Sequence, residues 1–168
     1  ELDTHASAEA QAAALADDIA YNNHDIDDGL RAGLFSVGDL DDVPLVGPIF
    51  AAVRKDFPNL DESRQIHEAV RRLIGAMVND LLTESRRLIL EAKVATADDI
   101  RGLGRPVVGF SPDMAALEAS VKAFLFENMY RHTRLKETMS EAKRVVRDLF
   151  LAFQADPGRL PGEWRNKL

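Results

Sequence analysis

From Glu62 to Ala92 the apolar residues Ile66, Val70, Leu73, Ile74, Met77, Val78, Leu81 and Leu82 recur at the spacing of one helical face. A pattern of this length predicts one helix lying across most of a domain, with the remaining elements arranged along it. The chain has 168 residues, of which 46% are hydrophobic. That is enough for one compact domain burying about 70% of its unfolded surface.

The other segments also read at the helical period. Leu15, Ile19, Ile26 and Leu30 form an apolar stripe, with Ser7 placed as an N-cap and Gly33 as the residue after the C-cap, so the first helix is expected over about 8–32. After a Gly/Asp-rich loop, a short apolar helix is expected from Leu45 to Asp56, stopped ahead of Pro58. Thr96 and Asp99 form a capping-box pattern that opens a short helical turn at Ala97 to Gly102. The segment GLGRPVVGF is expected to hold a short extended piece. Ser111-Pro112 then starts a helix running to about His132. A last helix is expected from Leu135 to Gln154, followed by a tail from Asp156 to Leu168 that reads as an arm wrapping the surface. Turn signals between alternating β-branched runs are absent. The fold class is all-α, a multi-helix bundle.

Charge and composition narrow the function. A formal charge of −7 opposes broad electrostatic binding to nucleic acid or an anionic membrane, so an anionic ligand needs a local basic site. No apolar run approaches the roughly 20 residues that span a bilayer. With no cysteine there is no disulfide, thiolate metal site or cysteine nucleophile, which fits a cytoplasmic protein. The chain opens on Glu1 without methionine and its helical pattern begins within a few residues, so an upstream portion is expected to lie outside this polypeptide.

The segment ADDIAYNNHDIDD, Ala16 to Asp28, concentrates five aspartates, a histidine and a tyrosine. On a helix Asp17, Tyr21, His24, Asp25 and Asp28 fall on one face opposite the apolar stripe. The plain alternative is a solvated acidic face, but Tyr21 sits in its middle, and like charges four apart cost a few tenths of a kcal/mol per pair unless a cation offsets them. One helix does not chelate a metal with these groups. Asp17 and His24 are about 10.5 Å apart along the axis, too far for both to approach one ion within about 2.2 Å. An EF-hand register fails because Phe35 stands where the bidentate Glu belongs, and His67-Glu68 lacks a second histidine for a zinc-protease motif because Arg71 occupies its place.

Two segments carry a family resemblance. EAQAAALADDIAYNNHDIDDGLRAG, Glu9 to Gly33, strongly resembles a helix of bacterial deoxyguanosine triphosphate triphosphohydrolase-like proteins, which belong to the HD-domain phosphohydrolase superfamily. VKAFLFENMYRHTRL, Val121 to Leu135, and the following AKRVVRDLF resemble the associated helical region of the same family. The resemblance implies that residues 1–33 are the last part of the HD-domain core and that 34–168 are the phosphohydrolase-associated region and C-terminal arm.

In that family a histidine, a His-Asp doublet and a final aspartate hold a divalent metal, Mg, Mn or similar. The final aspartate precedes the motif tyrosine by four residues, which places Asp17 as a metal ligand here. His24-Asp25 lies downstream of it and is not the doublet; the resemblance puts the other three ligands upstream, outside this chain. The same resemblance implies substrate contacts from Tyr21 against the deoxyribose, Asp25 to the sugar 3′-hydroxyl, Lys122 to phosphate, and Tyr130 and Arg131 near the sugar or base. No catalytic residue is identified within the chain.

The implied activity is metal-dependent hydrolysis of a deoxynucleoside triphosphate, dGTP-like, to deoxynucleoside and triphosphate by the intact protein, with this part alone inactive. The implied assembly is a homo-oligomer. Two alternatives stand beside it: an HD-family phosphohydrolase acting on another nucleotide phosphoester, and a non-catalytic helical interaction module.

Overall fold

The computed structural model describes residues 4–167. Among these there are helices and turns and no strand. The helices are α1 (Ala8–Arg31), α2 (Val46–Asp56), α3 (Glu62–Ala92), α4 (Ala97–Gly102), α5 (Pro112–Leu125), α6 (Thr133–Ala155) and α7 (Gly162–Arg165). The chain divides into two compact units, Glu1–Met129 and Tyr130–Leu168.

Local chemistry sets most helix ends. Ser7 caps α1 by accepting from the Ala10 N–H at 3.4 Å, and Asp61 caps α3 by accepting from the Arg64 N–H at 3.0 Å. At the end of α1, Gly33 adopts φ +64°. The Leu34 N–H then reaches the Gly29 carbonyl at 3.0 Å and the Gly33 N–H the Leu30 carbonyl at 3.1 Å, the double bond pattern of a Schellman cap. Thr96 and Asp99 form the reciprocal capping box at the start of α4. Ser111 caps α5, with Pro112 in the first turn where its missing N–H costs nothing.

In the first unit α3, about 46 Å long at 1.5 Å per residue, packs against α1 and α2. Two apolar clusters lie along it. Ile26, Phe35, Leu40, Val46, Phe50, Val53, Ile66, Leu73, Val121 and Leu125 belong to one. Ile19, Met77, Leu81, Val107, Val108 and Met114 belong to the other. The order in which each helix visits the clusters makes α1 antiparallel to α3 and parallel to α5. Between Ile19 and Ile26, α1 buries two amides, Asn22 and Asn23. The Asn23 side chain donates to the Ile19 carbonyl at 2.7 Å and to Met77 Sδ at 3.4 Å, while Asn22 donates to Glu118 Oε1 at 3.0 Å. Gly29 admits the Phe35 ring: a Cβ built there collides with Phe35 Cε1 and Cζ. Phe35 in turn meets Phe124 edge to face, with centroids 5.1 Å apart.

The structure departs from the sequence expectations at several points. In α3 the buried line is Ile66, Ala69, Leu73, Met77, Leu81 and Ser85, whereas Val78 and Leu82 are exposed. Two small residues, Ala69 and Ser85, thus join four large apolar ones on the inner line, which hydrophobicity alone does not reveal. The Gly/Asp-rich loop contains a 3-10 turn, Val37–Leu40, closed by Ser36 and Asp39. No extended piece forms around Val107 and Val108. Instead both backbone N–H groups donate to one side-chain oxygen, Gln11 Oε1, at 2.9 and 3.1 Å. The helix begun at Pro112 is α-helical only to Leu125, and residues Phe126–Tyr130 are wound as a π turn.

In the second unit α6 is long and has no buried residue. The tail after it forms a 3-10 turn at Pro157–Arg159 and then α7, with Trp164 half exposed beneath the Lys167 ammonium, 4.7 Å from the ring centroid. No helix among the described residues is long and apolar enough to cross a membrane.

Candidate functional site

The acidic segment occupies the second and third thirds of α1. Asp17, His24 and Asp28 are exposed, and Tyr21 stands out beside them with 58% of its surface accessible. Asp25 differs: it is buried, with 9% of its surface exposed. Adjacent residues on a helix point about 100° apart. His24 and Asp25 therefore diverge, one exposed and one covered. The expectation that all five groups share one wet face holds for four of them.

Asp17 makes no hydrogen bond or ion pair to any described residue, so its carboxylate is available to a ligand. Hard oxygen of this kind suits Mg or Mn. Among the described residues no three His, Asp or Glu side chains converge to hold a metal ion. Asp17 therefore offers such an ion no more than one carboxylate.

Lys122 is not a free cation. Its Nζ lies 2.6 Å from Glu118 Oε1 and 3.2 Å from Asp18 Oδ2, and the same Glu118 oxygen accepts from Asn22. The Glu118 carboxylate, with Asp18 behind it, holds the ammonium above the ordinary lysine range against the opposing effect of burial. This chain of contacts ties α1 to α5. Glu118 is mostly covered, with 12% side-chain exposure, whereas Asp18 is half exposed at 50%. Of the two partners, Asp18 is therefore held the less firmly. Sequence reasoning overlooked Asn22 and Glu118. The Glu118/Lys122 spacing of four, acid first, was the available signal.

The other motif-like pair, His67-Glu68, is tied up in contacts with arginines. His67 Nε2 sits 3.0 Å from Arg31 Nη2, and Arg31 Nε donates to Asp27 at 2.7 Å. Glu68 accepts from both Arg71 and Arg72, which holds its carboxyl down to about 2. Tyr130 and Arg131 begin the second unit. Tyr130 borders a cavity of about 350 Å³ with Leu135, Lys136, Met139, Ser140 and Lys143.

Comparison with known proteins defines the class first. Residues 108–168, from Val108 through α5, α6 and the tail, match the phosphohydrolase-associated domain. It is 56% identical over 165 residues to a deoxyguanosinetriphosphate triphosphohydrolase-like protein of Parvibaculum lavamentivorans, covering 98% of this chain and 42% of the relative. Proteins with the same description from Caulobacter vibrioides (53% identity, 97% of this chain and 41% of the relative) and Azorhizobium caulinodans (51%, 98% and 42%) are also similar. The chain belongs to the family of deoxyguanosinetriphosphate triphosphohydrolase-like proteins. It spans about two fifths of the length of these curated relatives.

Proposed function

We propose that the intact protein hydrolyses deoxynucleoside triphosphates, dGTP-like, to deoxynucleoside and triphosphate, and that α1 is one wall of its active site. The observation that carries this is the exposed, unpaired Asp17 carboxylate one turn before an exposed tyrosine, on a helix of a family whose members are described as triphosphohydrolase-like.

In this reading Asp17 supplies one carboxylate oxygen to a divalent metal whose other ligands come from elsewhere in the protein. Such a metal, when bound, polarises the phosphoryl group and lowers the pKa of its water. Tyr21, one turn on, lays its ring against the deoxyribose and leaves no room for a 2′-hydroxyl. Asp25, held by its buried position with little rotamer freedom, accepts the 3′-hydroxyl hydrogen from a fixed direction. Lys122 exchanges its exposed partner Asp18 for a phosphate oxygen and keeps Glu118. That exchange retains the charge compensation of the ammonium while adding a charge-assisted hydrogen bond to substrate. Tyr130 and Arg131 contribute contacts to sugar or base, and the working form is a homo-oligomer.

The test is hydrolysis by a protein of the relatives' length, assayed with all four dNTPs in Mg²⁺ and Mn²⁺ with product analysis. Released inorganic triphosphate supports the reading, while release of orthophosphate or pyrophosphate instead assigns another phosphoester activity. Asp17→Ala is expected to abolish turnover, and full activity in that variant refutes the central assignment. Tyr21→Ala is expected to narrow the preference for dGTP over GTP; unchanged sugar discrimination removes Tyr21 from the site.

A further inference from the structure

The charge of the chain is unevenly spread. Residues 130–168 carry nine Lys and Arg against five Asp and Glu, so the second unit is basic within an acidic protein. On the first half of α6, Lys136 and Lys143 both border the 350 Å³ cavity with Tyr130, Leu135, Met139 and Ser140. No carboxylate lines it. Among the described residues neither lysine makes an ion pair, although Arg144 on the same helix pairs with Glu141 at 3.7 Å.

We propose that Lys136, Ser140 and Lys143, with Tyr130 at the rim, form a binding site for a polyphosphate group, free or carried as the tail of a nucleotide. Lys136 and Lys143 are two turns apart, about 10.5 Å along the axis. Ser140 lies between them, one turn from each, so its hydroxyl falls midway along the row. Ammonium, hydroxyl and ammonium in line suit a chain of phosphates better than a single one. Leu135 and Met139 complete the lining, and a multiply charged anion relieves the repulsion between the two ammonium groups. The cavity also opens at the first turn of α6, a 23-residue helix whose N-terminal partial charge favours anions.

The site shares Tyr130 with the function proposed above. It needs neither metal nor hydrolysis, so its failure leaves the Asp17 assignment standing. The test is calorimetric titration of the 168-residue chain, in EDTA at about 0.15 M salt, with inorganic triphosphate, orthophosphate and dGTP. Triphosphate is expected to bind saturably and orthophosphate much more weakly. Lys136→Gln with Lys143→Gln is expected to weaken triphosphate by about tenfold or more. Arg159→Gln with Lys167→Gln, in the same unit but away from the cavity, is expected to leave it unchanged. If dGTP binds as triphosphate does and loses affinity in the same lysine variant, the ligand is a nucleotide tail; if only free triphosphate binds, it is the inorganic anion, and both outcomes uphold the site. Equal loss in the two double variants means a diffuse basic surface and overturns the proposal. So does orthophosphate binding as tightly as triphosphate, or no binding of triphosphate at all. Both lysines are exposed on a helix with no buried residue, so the substitutions leave the fold intact.

Discussion

Gly29→Ala sets two opposing effects against each other at one atom. In a helix, alanine is favoured over glycine by about 0.8–1.0 kcal/mol, so on propensity alone the change stabilises α1. The added Cβ, however, would overlap two ring atoms of Phe35 and approach a third at 3.3 Å. Phe35 does not swing away cheaply, because it is 7% exposed and its ring is held edge to face by Phe124 at 5.1 Å. Overpacking of this kind costs about 1–3 kcal/mol, and an overlap with two ring carbons belongs at the upper end. The net expectation is destabilisation by about 1–2 kcal/mol, a fall in the thermal midpoint of roughly 3–7 °C for a chain of this size. Urea unfolding followed by far-ultraviolet circular dichroism measures it, with Phe35→Leu made alone and in the Gly29→Ala background. The smaller side chain makes room for the methyl, so the two changes together should cost less than their sum by at least about 0.5 kcal/mol. A Gly29→Ala variant more stable than the parent, or strict additivity of the pair, would refute the close approach of Phe35 to α1.

Three further outcomes are expected. Gln11→Ala removes the acceptor shared by the Val107 and Val108 N–H groups, both on buried residues; it is expected to cost about 2–4 kcal/mol and to speed hydrogen exchange at those two amides. Asp80 accepts from both the backbone N–H and the hydroxyl of Ser111, at 2.9 and 2.7 Å, so Asp80→Ala should lower stability by about 1.5–3 kcal/mol in a denaturant titration while Asp80→Asn loses less. The Glu68 carboxyl is held well below its ordinary value of 4.5, at about 2, by Arg71 and Arg72. A carboxyl depressed on folding contributes stability that is present above its unfolded value and is lost as pH falls toward the folded one. Glu68→Gln should therefore flatten the acid dependence of stability between about pH 4.5 and 2, and an unaltered slope in that window would exclude the pairing.

Features written in neighbouring residues were legible from the sequence. The caps at Ser7, Thr96 and Ser111 depend on a side chain reaching a backbone group three residues away, and the bounds of α3 depend on one long period. What needed the structure involves partners far apart in the chain. Gln11 reads as one more surface residue in an Ala-rich helix until Val107 and Val108 are seen against it, 96 and 97 residues away. Asp25 reads as part of an acidic face because spacing assigns an angle and not the position of the helix that covers it. The helix expected from Pro112 to about His132 changes to a π turn over Phe126–Tyr130, which no residue spacing announces. Within the candidate site the exposure of Asp17 and Tyr21 followed from periodicity. The engagement of Lys122 by Glu118 and Asp18 did not, since it requires knowing which helix lies next to α1.

The two amides between the apolar clusters of α1 also fix how far along its neighbours this helix sits. Leucine and isoleucine stripes tolerate sliding by a turn, because one apolar contact replaces another. An amide does not: displaced by about 5.4 Å, Asn22 would lose the Glu118 carboxylate at a cost of about 1–3 kcal/mol, and Asn23 would lose Met77 Sδ while keeping its bond to the Ile19 carbonyl within α1. One buried polar pair thus acts as an index mark, as single asparagines do in coiled coils. It sets the axial register of α1, and with it the height at which Asp17 and Tyr21 are presented to whatever they meet.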